Sequence, residues 1–115
     1  MSTKIYTGAR KVQLGGAIVT VRDSAAEGGA RELAPRNDLR NHSPDGFEFG
    51  YSGSGPAQLA LAICADVLGD DERALRVYQD FKRVMISPID GDDFSITEAR
   101  ALEVIAEIEA SRAER

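Results

Sequence analysis

The residues best suited to chemistry crowd into one stretch, His42-Ser43-Pro44-Asp45-Gly46-Phe47-Glu48-Phe49-Gly50-Tyr51-Ser52-Gly53-Ser54-Gly55-Pro56, which holds the only histidine of the chain, two carboxylates and three serines. Glycines let backbone N–H groups approach a ligand, and a helix N-terminus adds roughly half a positive charge. With a helix opening at Pro56, the residues His42, Ser43, Asp45, Glu48, Tyr51, Ser52, Gly53, Ser54 and Gly55 form a candidate site for a small anion or nucleotide. A plainer reading competes with it: Gly53 and Gly55 permit a tight turn, and Pro56 starts the helix. The spacing matches neither the GxGxxG fingerprint nor the GxxxxGK[ST] phosphate loop.

Two further chemistries can be weighed on the same residues. A hydrolase would use Ser52 or Ser54 as nucleophile, His42 as base and Asp45 or Glu48 to orient it. Ser54, however, stands where the GxSxG elbow requires glycine. A metal held by His42, Asp45 and Glu48 would lack the spacing of a familiar site, whereas an Asx or Ser-Pro turn accounts for the same residues. No metal and no cofactor are expected. A separate acidic cluster, Asp90, Asp92, Asp93 and Glu98, is a candidate interaction face that could dock a basic protein surface or imitate phosphates, and a solvated charged face explains it equally.

The chain that must position these groups has 115 residues, enough for one core and hence one domain over 1–115. Its 43% apolar and 29% charged content is that of an ordinary globular protein. With a single cysteine, Cys64, no internal disulfide can form, and its place among apolar residues predicts a buried small hydrophobe. A reducing compartment follows, and no apolar run approaches the length of a membrane span, so a cytoplasmic protein is expected. The net charge of -5 is polarised: residues 1–42 carry seven Lys/Arg against four acids, and residues 43–115 seven against fifteen. The acidic half argues against nucleic acid as a partner of the whole domain, leaving only a local basic face built from Arg10, Lys11, Arg22, Arg36 and Arg40.

Periodicity divides the chain into strands followed by helices. Lys11–Leu14 and Ala17–Arg22 flank Gly15-Gly16 as a hairpin, with a short strand at Ile5-Tyr6 before it. Residues 24–45 read as an extended connection with one short strand near Leu33 or Leu39. Phe47, Phe49 and Tyr51 alternate at a period of two, which predicts a half-buried strand presenting three aromatics to the helices. A helix over 56–68 is apolar all round and therefore central, with Gly69 as its C-cap. A second helix over 71–86 carries Ala74, Val77, Tyr78, Phe81, Val84 and Met85 on one stripe and is stopped by Ser87-Pro88. Ser95-Ile96-Thr97-Glu98 has the form of a capping box opening a third helix. The expectation is an α+β fold, a small antiparallel sheet from the N-terminal half packed by three helices from the C-terminal half.

The stretch from His42 to Ala60 resembles the hallmark of an uncharacterised family of small prokaryotic proteins, also found in plasmid and phage genomes: His-Ser-Pro-x-Gly-Phe-Glu-aromatic-Gly-Tyr-x-Gly-Ser-Gly-Pro-Ala-Gln-Leu-Ala. Phe49 stands at the aromatic position and Ser52 where glycine is usual. Tyr6-x-Gly8-x-Arg10 and Tyr78-Gln79-x-Phe81-Lys82 are also similar. The resemblance brings no known activity. It implies a mobile-element setting, in which small acidic proteins work by binding and disabling a host protein. With no complete catalytic constellation in view, the expectation is a non-enzymatic binding module with a host protein as partner, in which self-association is also allowed; the alternative is the anion, nucleotide or hydrolytic site of residues 42–55.

Overall fold

The computed structural model describes residues 3–11, 15–24, 29–44 and 46–113. Strands β1 (Lys4–Arg10), β2 (Ala17–Asp23) and β3 (Ala30–Glu32) precede helices α1 (Ser54–Leu68) and α2 (Asp71–Phe81); strand β4 (Asp93–Thr97) and helix α3 (Glu98–Ala113) follow. The sheet has the order β3-β2-β1-β4 and every pair is antiparallel. The α+β architecture is as expected, but its fourth strand comes from between the second and third helices rather than from the N-terminal half. Thr97 ends β4 and caps α3, its Oγ1 accepting from the Arg100 N–H at 3.1 Å, so the anticipated Ser95 capping box is strand.

Alternation along the strands produces two unlike faces. Tyr6, Gly8, Ala17, Val19, Val21 and Ile96 are buried against the helices, while Thr7, Ala9, Ile18, Ser95 and Thr97 face outward. Gly8 admits Phe94 from β4: a Cβ there would lie 2.2 Å from the Phe94 ring, so glycine is the residue that lets the ring cover the strand. The hairpin joining β1 and β2 is longer than a two-residue Gly15-Gly16 turn. Lys11 N–H donates to Gly16 O at 3.0 Å beyond the last strand pair, Arg10 with Ala17; residues 12–14 of the expected strand lie outside the described residues.

Helix α1 is the centre of the core. Residues 55–65 are all buried, and the helix contacts both α2 and α3. It begins at Ser54 with Gly53 as N-cap, placing Pro56 third rather than first, and it ends at Gly69 in the left-handed conformation, whose N–H reaches Ala65 O at 3.0 Å. Burying Leu59, Leu61 and Ile63 removes them wholly from water, worth about 1.5–3 kcal/mol apiece. Cys64 is buried beside them, and burial pushes its thiol pKa upward, so it stays a thiol at neutral pH.

Helix α2 opens on Asp70, which accepts from Arg73 N–H at 3.1 Å, and continues past Phe81 as a five-residue π-helical segment, Lys82–Ile86. In the α register the stripe after Phe81 would continue through Val84 and Met85. The π turn, closed by Ser87 N–H on Lys82 O at 2.8 Å, moves the next inward position to Ile86. Ile86 is therefore fully buried and Val84 is 50% exposed.

The far end of α1 is tied to the sheet through Asp66, which accepts from Tyr6 Oη at 2.6 Å, Arg31 Nη2 at 2.6 Å and Lys4 Nζ at 3.4 Å. Partial burial alone would raise its carboxyl pKa, but the bonds from Tyr6 and Arg31 and the nearby cations outweigh that and hold it below the ordinary value. A depressed folded-state pKa gives stability that is present above the unfolded pKa, about 3.9, and is lost as pH falls through the folded value. The stability gap between wild type and Asp66→Asn should therefore be full at neutral pH and shrink below about pH 4. Thermal melts of both proteins against pH check this; a gap constant down to pH 2 would contradict it.

Candidate functional site

The anticipated strand over 47–51 does not form. Phe47 makes one isolated antiparallel bridge with Ala17, its O accepting from Ala17 N–H at 2.9 Å. Gly50 then turns the chain at φ +86, and a Cβ there would lie 2.9 Å from Ile89 O. Phe47 and Phe49 are buried as expected, but Tyr51 is carried beyond the turn and is 50% exposed, so it supplies no core face.

The candidate groups between His42 and Gly55 find their partners inside the fold. His42 Nε2 lies 2.7 Å from Tyr78 Oη on α2. The His42 and Ser43 N–H groups both donate to Oε1 of Gln58, at 2.8 and 3.1 Å, and Gln58 Nε2 donates to Pro35 O at 2.6 Å. Gln58 is fully buried on α1 and thus carries three bonds to the loop that crosses over it. Ser52 Oγ faces Ser87 Oγ at 3.1 Å, Ser54 is an exposed first-turn residue, and Asp45 lies outside the described residues. His42 is thereby directed to Tyr78 and Ser52 to Ser87. The base and nucleophile of the hydrolase alternative have separate partners.

Glu48 serves Arg10 and the β1–β2 connection. Its Oε1 accepts from Arg10 Nε at 3.1 Å and from its neighbour Phe49 N–H at 3.3 Å, and its Oε2 accepts from Gly16 N–H at 3.2 Å. Its stem lies on the first turn of α1, where a Cβ on Gly55 would be 2.7 Å from Glu48 Cβ. Gly55 is thus required for close approach of the chain to the helix, and that approach occupies space beside the helix start. Arg10 completes the arrangement: Nη2 donates to Phe49 O at 2.5 Å, Nη1 to Gly91 O at 2.8 Å and to Asp92 at 3.2 Å, and the guanidinium lies 4.4 Å from the Phe49 ring centroid. Phe49 in turn meets Phe94 edge-on at 5.0 Å.

Sequence reasoning did not single out Gln58 or Tyr78 as partners of the motif. The signal for Gln58 was present: one carboxamide inside a helix that is apolar on every side must be buried and must find partners. Tyr78 reads as a member of the apolar stripe and of the Tyr78-Gln79-x-Phe81-Lys82 segment, and neither points to His42.

The acidic cluster is divided by the structure. Asp92 is paired with Arg10, whereas Asp90 and Asp93 are exposed and Glu98 is partly buried at the start of α3. Among the described residues no cation lies within ion-pair distance of Asp90, Asp93 or Glu98. Of the basic residues of the N-terminal half, Arg10 is engaged as above, and Arg36, in the left-handed region at φ 56, bonds Asp38 and Asp71 through both edges of its guanidinium. Among the described residues no cluster of His, Cys, Asp and Glu could hold a metal ion, and no helix is long and apolar enough to cross a membrane.

No curated protein and no solved structure matches the chain. One family model does, over residues 6–107, a span that includes the whole His42–Ala60 motif and the elements that bind it, and the chain belongs to this family, described as a family of unknown function (DUF6166).

Proposed function

We propose that the protein is a non-enzymatic protein-binding module, an accessory factor of phage or plasmid type whose partner is a host protein. One observation supports this reading above the anion, nucleotide or hydrolase alternative. His42, the Ser43 N–H, Glu48 and Ser52 are bonded to Tyr78, Gln58, Arg10 and Ser87 respectively, so the base, the orienting carboxylate and one of the two nucleophiles each have a different partner. A motif consumed in this way holds a surface in shape without itself being the surface. Among the described residues Asp90, Asp93 and Glu98 have no cation within ion-pair distance, and this acid suits a basic partner. The mobile-element setting implied by the motif makes a host defence or nucleic-acid-processing complex the class of target.

Affinity capture of the tagged protein from lysate of its source organism, read by mass spectrometry, tests the reading. One or a few proteins enriched at least about tenfold over an untagged control are expected, in line with a complex of micromolar affinity or better. No enriched protein, together with binding of a nucleotide or inorganic phosphate by calorimetry, would overturn it in favour of the alternative.

A further inference from the structure

The hydrogen bonds of β1 determine which backbone groups of β4 are free. Lys11 N–H bonds Gly16 O on the β2 side, and Arg10 N–H bonds Asp92 O on the β4 side, at 3.0 and 2.9 Å. In an antiparallel ladder the N–H and C=O of one residue point the same way and successive residues alternate. Odd residues of β1 therefore face β2, and Tyr6, Gly8 and Arg10 face β4. By the register Tyr6↔Ile96 and Gly8↔Phe94, it is Phe94 and Ile96 that bond β1. Asp93 and Ser95 turn their N–H and C=O outward, and β4 is the last strand of the sheet. Both residues are exposed, and among the described residues no backbone partner lies on that side.

Natural edges of this kind are usually blocked by lysine, proline or a bulge. Asp93-Phe94-Ser95-Ile96-Thr97 has no lysine or proline and pairs with β1 without a break. Among the described residues its guard is charge, Asp90 and Asp93 at one end and Glu98 at the other. That guard selects the occupant. A second copy paired antiparallel about Ser95 would set Asp92 opposite Glu98 of its mate, between chains that each carry a net charge of -5. An extended segment bearing lysine or arginine would meet the same acids favourably.

We infer that β4 accepts an extended basic segment of a partner protein as a fifth strand, its backbone bonded to Asp93 and Ser95 and its cations set against Asp90, Asp93 and Glu98. The inference rests on the protein-binding reading and names the surface and the chemistry of the partner. Main-chain bonds supply affinity in this mode, and alternate side chains supply selection.

The test uses a short fluorescent peptide with lysine at alternate positions and valine or threonine between, its glutamate counterpart, and the whole protein. The lysine peptide should bind at low salt and the glutamate peptide should bind at least about tenfold more weakly. Ser95→Pro removes the outward N–H and no bond to β1, and should weaken the lysine peptide about tenfold, the equivalent of one lost hydrogen bond; Ser95→Ala should not. Native-state hydrogen exchange on the wild type keeps the test open if the proline variant does not fold: added peptide should protect the Ser95 amide. No binding of the lysine peptide, equal binding by folded Ser95→Pro, or an unprotected Ser95 amide would each overturn the inference. In the capture experiment, a partner retained by folded Ser95→Pro would remove the edge from the account while the protein-binding reading stands, and absence of any partner would remove that reading itself.

Discussion

Replacing Gln58 by leucine should lower the melting temperature by about 10 °C or more, although leucine fills nearly the same volume and is the better apolar residue for the centre of α1. The reason is what glutamine does for its neighbours. Its carboxamide accepts from His42 and Ser43 N–H and donates to Pro35 O, with the side chain fully buried. Leucine leaves two N–H donors and one carbonyl without partners, each costing about 1–3 kcal/mol when water cannot replace the bond. Even with partial solvation of the loop the sum reaches about 3 kcal/mol, a large share of the stability of a small domain. The loss should be local before it is global, with amide exchange of His42 and Ser43 accelerating first. A leucine variant melting within about 2 °C of wild type, with His42 and Ser43 amides still protected, would contradict the assignment.

Phe49→Ala should be about as damaging, at about 3–5 kcal/mol. Phe49 is wholly buried, meets the Phe94 ring edge-on and lies beneath the Arg10 guanidinium. Truncation opens a cavity where the motif, the tip of β4 and β1 come together, and it deprives Arg10 of its aromatic face. Phe49→Leu keeps most of the volume and loses the ring contacts, so it should cost about 1–1.5 kcal/mol. Chemical denaturation of the pair separates the two contributions. An alanine variant costing less than about 1 kcal/mol would place Phe49 outside the core.

Much of this frame was legible in the residues. The all-round apolarity of 56–68, the Gly69 cap and the stripe from Ala74 to Phe81 depend on local pattern, and local pattern predicts them. The departures are places where a distant partner decides. Ser95–Glu98 carries the letters of a capping box, yet the register with β1 and the fit of Phe94 over Gly8 make Asp93–Thr97 a strand. The alternation of Phe47, Phe49 and Tyr51 has the period of a strand, but only Phe47 has a neighbouring strand residue to pair with, and Gly50 turns the rest away. The π turn leaves no mark beyond the five-residue step from Phe81 to Ile86. For the candidate site, residue types and spacing located the chemistry-bearing cluster but could not show where each group points. The direction of His42 towards Tyr78, and of Gln58 towards the loop, exists only once α1 and α2 are packed.

Whether the His42–Gly55 motif shapes the fold while recognition occurs elsewhere is tested by one paired measurement on the double variant His42→Ala, Ser54→Ala. Ser54 is exposed and makes no side-chain cap, so the cost falls on the His42–Tyr78 bond, about 1 kcal/mol. The double variant should melt a few degrees lower and show undiminished capture of the partner that wild type enriches. A double variant as stable as wild type that no longer captures that partner would make the motif the binding site and not a scaffold.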